Sequence, residues 1–180
     1  MSPILCETSR SRPQYREKKK LKSVCAICFT GANETYHHWR VFSHGNSGVC
    51  VTFVFDKLCA HLGKDPGIAA GEVKYHRIDA LEAKPPKIDS LPFVKRYPYR
   101  DEREYRFVYS DAIDKIQFKR IAVPLSSVFK VTLSPWLPKV QFDSIKSAIR
   151  SVKDCEKIVV RRTGMLETER WKRIAEKIRR

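Results

Sequence analysis

Glycine is scarce in this sequence, and the nucleotide-binding and nucleophile motifs that depend on glycine are missing. The 180 residues include seven glycines, and none falls in G-x-x-x-x-G-K-[ST], G-x-G-x-x-G or G-x-S-x-G. The sequence therefore excludes a P-loop, a glycine-rich dinucleotide loop and a hydrolase nucleophile elbow. A two-metal nuclease centre would also need more grouped carboxylates than Asp101, Glu102 and Glu104 supply.

Long apolar runs and a secretion signal are absent as well. No window approaches the ~18 uncharged apolar residues that a membrane-spanning helix needs. Residues 1–6 lack the apolar core of a signal peptide and run into a basic stretch. We therefore expect a cytoplasmic protein that does not enter a membrane and whose six cysteines are reduced.

The cysteine and histidine spacing gives little support to a metal site. Cys25 and Cys28 form a single C-x-x-C pair, followed by the adjacent histidines His37 and His38. Adjacent histidines cannot easily turn toward one ion, and a second C-x-x-C is missing. We therefore expect no metal, and we interpret residues 23–29 as a strand in which the cysteines act as small apolar residues.

Acidic residues are outnumbered, since 36 Lys and Arg face 20 Asp and Glu and the net charge is +16. This excess favours a polyanionic partner, with nucleic acid first and an anionic membrane face second. Residues 1–22 are predicted to form a basic arm, either flexible or a short surface helix. The arm residues that we expect to contact nucleic acid are Arg10, Arg12, Arg16, Lys18, Lys19 and Lys20. Aromatic residues that could either stack on bases or pack in the core are Tyr97, Tyr99, Tyr105 and Tyr109.

The length and hydrophobic pattern predict one α+β domain over residues 23–180, after the arm. Strands are predicted at 23–30, 47–55, 72–78, 102–109, 116–124, 128–133 and 158–160. The strand at 47–55 is expected to be central and the strand at 102–109 half-exposed. Helices are predicted at 57–62, 142–149 and, as a basic amphipathic C-terminal helix, 167–180, with a proline-rich loop at 80–98.

The sharpest local feature is the triplet Glu102-x-Glu104-x-Arg106. On a strand, period-two alternation would place all three side chains on one face. One interpretation is a solvated face on which Arg106 neutralises one carboxylate. The other is a carboxylate held by a neighbouring cation and directed at a sugar hydroxyl or an oxocarbenium-like centre. The spacing alone leaves both interpretations open.

Two longer motifs lie in the two halves of the sequence. The first is a strand at 24–29 followed by Thr30, then Trp39-x-x-Phe42, then the Gly-Val-Cys-Val-Thr-Phe strand at 48–53, and the second is Lys95-x-x-x-Tyr99-x-x-Glu102-x-Glu104-x-Arg106. Both resemble motifs of a domain family of unknown function from bacterial and phage-defence proteins, with relatives among abortive-infection proteins. In place of the second motif that family has Lys-x-x-x-Trp-x-x-Glu-x-Glu-x-Arg. The resemblance covers roughly residues 23–166.

The layout of that family is similar to that of ADP-ribosyltransferase toxins. The resemblance therefore implies a β-rich domain of that fold with a few peripheral helices, and transfer of ADP-ribose from NAD as substrate. It implies that Glu104 is the catalytic carboxylate and that Glu102 is its partner. The residues that it implies for NAD binding are Thr30, Trp39, Tyr99 and Arg106. The family's usual His-Tyr-Thr first strand is missing from this sequence, which leaves as candidates for the NAD ribose Arg10, Arg12, His37 and His38.

Two functions are compatible with these observations. The first is an NAD-dependent ADP-ribosyltransferase-like toxin or antiviral defence effector that acts on nucleic acid, with a protein partner or antitoxin as a further expectation. The alternative is a non-enzymatic, basic nucleic-acid-binding subunit of a defence or ribonucleoprotein complex. Both predict affinity for nucleic acid, so only turnover separates them.

Overall fold

The computed structural model describes residues 12–43, 45–166 and 169–178. They form two compact units. Unit 1 consists of the described residues up to Asn33 together with Cys59–Ala122, and unit 2 consists of Glu34–Leu58 together with the described residues from Val123 onward. Each unit contains strands and helices, so the predicted α+β class is confirmed. The prediction of one domain over 23–180 behind an arm over 1–22 stays a prediction.

Strands and helices alternate along much of the described chain. The strands, in chain order, are β1 (Ser23–Thr30), β2 (Val49–Phe53), β3 (Ile68–Glu72), β4 (Lys74–His76), β5 (Val94–Arg96), β6 (Glu104–Asp111), β7 (Val128–Leu133) and β8 (Val159–Arg162). The helices are α1 (Arg12–Lys18), α2 (Tyr36–Phe42), α3 (Phe55–Leu62), α4 (Ile78–Ala83), α5 (Lys139–Arg150) and α6 (Glu169–Ile178).

The main sheet of unit 1 has β6 at its centre. This strand pairs antiparallel with β1 on one side and with β3 on the other. Phe107 and Val108, which point to opposite faces of β6, are both buried. The ring of Phe29 packs edge-on against Phe107, with the ring centroids 5.7 Å apart. The expectation of a half-exposed strand at this position is therefore wrong, because β6 is buried on both faces.

A parallel pair, β4 with β5, completes the strands of unit 1. A 3-10 helix, Ile88–Phe93, precedes β5, and a second one, Tyr97–Glu102, follows it. Pro98 lies at the start of the second helix, where a missing N–H leaves no hydrogen bond unmade. The segment 80–98, predicted as a loop, thus contains short regular elements that position the residues after it.

In unit 2, β7 pairs antiparallel with β2 and parallel with β8, and α5 forms the crossover between the two parallel strands. The core of this unit is formed by Val131, Leu133, Leu137 and Val160. Phe142 and Ile149 of α5 pack against it, whereas Ile145 is exposed, so the helix predicted at 142–149 is confirmed and half of its apolar positions face the core. The strand predicted at 47–55 is present as β2, but the expectation that it is central is wrong, because β2 lies at the edge of its sheet.

Two further strand predictions are corrected. Residues 116–124 form no strand, because side chains satisfy part of this backbone: Ile116 N–H donates to Ser23 Oγ at 2.7 Å, and His61 Nε2 donates to the Ala122 carbonyl at 2.6 Å. The strand predicted at 72–78 is divided between the end of β3, all of β4 and the start of α4.

Candidate functional site

Four charged side chains of unit 1 lie together at the start of β6. We call them the Glu104 cluster: Lys95, Glu102, Glu104 and Arg106. Arg106 Nη2 donates to Glu104 Oε2 at 2.5 Å, and Lys95 Nζ lies 3.4 Å from Glu104 Oε1. The same Lys95 ammonium donates to Glu102 Oε2. Two carboxylates and two cations therefore form one continuous, charge-balanced network.

Arg106 lies on the central strand β6, and its side chain is held by the 3-10 helix Ile88–Phe93. Its register partner on β3 is Gly71, which has no side chain to occupy the space beside it. The ring of Phe93 fills that space, lying 3.4 Å from where a Gly71 Cβ would stand. Arg106 Nη1 donates to the carbonyl of Pro92 at 2.7 Å. The 3-10 helix before β5 thus closes over the guanidinium.

Glu102 reaches the cluster by a different route from the one that alternation predicts. Strand β6 begins at Glu104, and Glu102 is the last residue of the preceding 3-10 helix. Arg103 between them has φ 44° and ψ 53°, a left-handed conformation that reverses the chain locally. The expectation of three side chains on one strand face is therefore wrong, although the two carboxylates still meet at Lys95.

Burial excludes the interpretation of this cluster as a solvated face. The side chains of Arg106 and Glu104 are 8% and 11% exposed. Burial of the ammonium lowers the pKa of Lys95, but the hydrogen bond to Glu102 and the charges of both carboxylates outweigh it, so the net pKa of Lys95 is raised. Among the described residues, Arg106 Nε is a buried donor without a hydrogen-bond partner.

The backbone of Glu104 is fixed from both sides. Its N–H donates to Tyr75 Oη at 2.8 Å, and its carbonyl accepts from Val73 N–H at 2.9 Å. Burial, the largest cause, raises the pKa of Tyr75, and the charges of Glu104 and Glu102 add to this against the opposing hydrogen bond from the Glu104 N–H. Glu104 is consequently held in one position in both main chain and side chain.

Thr30, whose hydroxyl is implied by the resemblance to contact NAD, lies directly across from Glu104 in the β1–β6 register. Its Oγ1 donates to the Glu102 carbonyl at 2.6 Å and accepts from Ala32 N–H at 3.0 Å. The hydroxyl thus ties the end of β1 to the turn that carries Glu102. Its predicted contact with NAD stays a prediction.

The two aromatic residues implied for NAD binding lie in different units. The ring of Tyr99 is exposed and has Lys95 Nζ at 4.7 Å from its centroid, so it adjoins the Glu104 cluster. Trp39 belongs to unit 2, where it is buried and donates from Nε1 to Glu34 Oε1 at 2.8 Å. The structure therefore brings Thr30, Tyr99, Glu102, Glu104 and Arg106 together within unit 1.

The described part of the basic arm, residues 12–22, begins with helix α1. Arg12, Arg16 and Lys18 belong to α1, Lys19 and Lys20 follow it, and Arg10 lies outside the described residues. Lys19 forms an ion pair with Asp89, and the hydrogen bond with Asp89 raises the pKa of Lys19. One of the arm's predicted nucleic-acid contacts is thus paired within unit 1.

Metal-ligating clusters and membrane-spanning helices are missing from the described part of the chain. Over residues 12–43, 45–166 and 169–178, no group of three or more His, Cys, Asp or Glu is arranged to hold a metal ion. Within those same residues, none of the helices has the length and apolar character needed to cross a membrane.

Two members of this site were not singled out from the sequence. Lys95 was visible as the first residue of the second motif, and the structure makes it the cation that joins Glu102 to Glu104. Tyr75 lies 29 positions from Glu104, and nothing local in the sequence couples the two.

Comparisons with known proteins found no match: no family model fits the sequence, no curated protein is similar to it, and no solved structure matches it.

Proposed function

We propose that this chain is an ADP-ribosyltransferase-like enzyme that uses NAD as its substrate, acts on nucleic acid, and serves as a toxin or antiviral defence effector. The observation that supports this most is the fixed, nearly buried carboxylate of Glu104 at the head of the central strand, opposite Thr30. The resemblance of its motif to the defence family supplies the reaction type.

In the proposed reaction, Glu104 stabilises the positive charge that develops on the ribose. When the bond between the ribose C1′ and the nicotinamide nitrogen breaks, the electron pair leaves with nicotinamide and positive charge develops on the ribose. A carboxylate that accepts a hydrogen bond from the ribose 2′-hydroxyl stabilises that charge without having to move first. The nucleic acid then attacks C1′ and loses a proton.

The cations of the cluster serve positioning in this proposal. Arg106 and Lys95 fix the orientation of the Glu104 carboxylate, and each carboxylate oxygen retains a second lone pair for a substrate hydroxyl.

A second candidate, a non-enzymatic nucleic-acid-binding subunit, is favoured by one specific observation. Both oxygens of Glu104 and the hydroxyl of Thr30 already have partners within the protein. An internal network of this kind also suits a purely structural role, in which the basic charge alone carries the function.

The test measures transfer of label from NAD. Purified protein is incubated with labelled NAD and either single-stranded or duplex nucleic acid, and both transferred label and released nicotinamide are quantified. We expect Glu104→Gln to lower the rate by roughly 100-fold or more, because it removes the charge that stabilises the transition state.

The matched control is Glu82→Gln, which makes the same chemical change on an exposed side chain of α4 in unit 1. This variant should retain wild-type turnover, and circular dichroism should show that both variants are folded. Equal absence of label transfer from wild type and Glu104→Gln would reject the enzyme and leave the binding subunit.

A further inference from the structure

Two tyrosine rings beside the Glu104 cluster are exposed on a short, rigid segment. Tyr97 and Tyr99 lie in the 3-10 helix Tyr97–Glu102, with Pro98 between them, and they are 38% and 40% exposed. Proline restricts the backbone of this segment, so the rings are presented with little loss of conformational freedom on binding.

Cations accompany both rings. The guanidinium carbon of Arg100 lies 4.6 Å from the Tyr97 ring centroid, and that of Arg77 lies 5.4 Å from it. The guanidinium carbon of Arg96 lies 5.5 Å from the Tyr99 centroid, and its Nη2 donates to Tyr99 Oη at 3.2 Å. We call this set of five side chains the Arg–Tyr surface.

The Arg–Tyr surface has an excess of positive charge. Arg100 lies 3.8 Å from the exposed Asp101, whereas Arg77 and Arg96 have no ion pair within the described part of the chain. The neighbouring carboxylates Glu102 and Glu104 do not offset this charge, because Lys95 and Arg106 already neutralise them. An anionic ligand is therefore attracted to this surface.

We propose that the Arg–Tyr surface binds single-stranded nucleic acid. Unpaired bases stack on tyrosine rings and on the planes of arginine guanidinium groups, while the same arginines contact phosphates. A duplex keeps its bases stacked on one another, so exposed rings select for unpaired strands. This is a different site from the basic arm.

The location links this surface to the reaction. Lys95 contacts both the Tyr99 ring and Glu102, so a base stacked at Tyr99 lies next to the Glu104 cluster. The inference names the acceptor in the proposed transfer reaction and in that respect rests on the proposed function, but the binding itself is measured without NAD.

The test is fluorescence anisotropy with three labelled probes: a 20-nucleotide oligo-dT, a 20-nucleotide oligo-U and a 20-base-pair DNA duplex, all at one salt concentration. The two single strands separate DNA from RNA as the source of the unpaired bases. We expect both strands, or one of them, to bind more tightly than the duplex.

Removal of the rings should weaken this binding strongly. Loss of one stacked base corresponds to roughly a 5- to 150-fold change in affinity, so Tyr97→Ala and Tyr99→Ala should each weaken single-strand binding by roughly fivefold or more. Tyr97→Phe with Tyr99→Phe keeps the rings and should stay within about twofold of wild type. Tyr97→Ala is the cleaner of the two variants. The ring that lies against the Lys95 ammonium is that of Tyr99, so removal of the Tyr97 ring leaves this contact with the Glu104 cluster in place.

The matched control uses another exposed arginine–tyrosine pair. In unit 2, the guanidinium carbon of Arg40 lies 5.6 Å from the ring centroid of Tyr36, which is also exposed. Tyr36→Ala should bind like wild type. Equal losses from Tyr36→Ala and Tyr97→Ala, duplex binding as tight as single-strand binding, or unchanged binding by the Tyr97 and Tyr99 variants would each overturn the proposal.

The two proposals fail separately. Glu104→Gln keeps the rings and leaves Lys95 and Arg106 with excess positive charge, so it should bind oligonucleotides at least as tightly as wild type. If Glu104→Gln abolishes label transfer while the tyrosine variants bind normally, the Arg–Tyr surface is refuted and the enzyme stands. If the tyrosine variants lose binding while no protein transfers label, the surface stands and the enzyme is refuted.

Discussion

Replacing Arg106 with methionine should destabilise the protein far more than replacing an exposed arginine. The change removes a nearly buried guanidinium while keeping a side chain of similar length. It leaves the Pro92 carbonyl without its donor at 2.7 Å and the Glu104 carboxylate with only the Lys95 ammonium at 3.4 Å. The Glu104 side chain is only 11% exposed, so hydration offsets little of the loss of its partner.

The size of the effect follows from the burial of the pair. Breaking a buried ion pair by removing one partner costs about 3–5 kcal/mol, because the remaining charge is left uncompensated. Lys95 still offsets part of the Glu104 charge, so we expect the lower end, about 3 kcal/mol. For a chain of this length, 1 kcal/mol shifts the melting temperature by roughly 2–4 °C, which gives a decrease of about 6–12 °C.

The assay is thermal and urea unfolding of Arg106→Met beside Arg100→Met. Arg100 is 49% exposed and pairs at 3.8 Å with an 85% exposed Asp101, so its loss should cost about 1 kcal/mol or less. A double variant, Glu104→Gln with Arg106→Met, should lose less stability than the sum of the single changes, since it removes both charges together. Melting temperatures of Arg106→Met and Arg100→Met within about 2 °C of each other would refute the buried network.

Two further predictions concern other parts of the structure. Gly48→Ala should lower the midpoint of urea unfolding, because its Cβ would overlap the Ser43 side chain and stand 3.2 Å from the Trp39 ring; an unchanged midpoint would contradict the close packing there. Hydrogen bonds from the Asp114 N–H and then from other donors lower the pKa of Asp111 in the folded protein, so its contribution to stability is present above about pH 4 and is lost as the pH falls below that value. Asp111→Asn should therefore flatten the decrease in melting temperature between about pH 5 and pH 2, and a decrease as steep as in wild type would count against this assignment.

Local pattern predicted those elements whose side chains and tertiary environment agree. The largely apolar segment at 23–30 coincides with β1, and the strand at 128–133 coincides with β7. Helix α5 was placed correctly by its apolar spacing, of which Phe142 and Ile149 pack on the core of unit 2 while Ile145 is exposed. In these elements the apolar residues that form the sequence pattern are also residues that contribute to burial, so the pattern predicts the element.

The pattern failed where distant partners decide the structure. Alternation of charged and aromatic residues in β6 predicts that the face with the charged residues is exposed to solvent. Arg106 is nevertheless buried, because the Pro92 carbonyl and the Glu104 carboxylate accept its hydrogen bonds. The left-handed conformation of Arg103 has no local signal, since non-glycine residues rarely adopt it. The prediction that Glu102 and Glu104 share one face of a strand was thus wrong, because Glu102 lies in the preceding 3-10 helix. The expectation that the two carboxylates lie close together was correct, since both contact Lys95.

The neutral interior of the Glu104 cluster has a consequence for the surface around it. Two bare carboxylates beside Tyr99 would repel phosphate groups within a screening length of ~10 Å at moderate salt. Lys95 and Arg106 remove that repulsion without placing their own charge at the surface, because both are paired with Glu102 and Glu104. The local field is then set by the exposed arginines at 77, 96 and 100. In the proposed enzyme, the Glu104 carboxylate can therefore lie next to a polyanion. Loss of Lys95 should weaken oligonucleotide binding, because it leaves Glu102 without its cation and removes the ammonium from the Tyr99 ring.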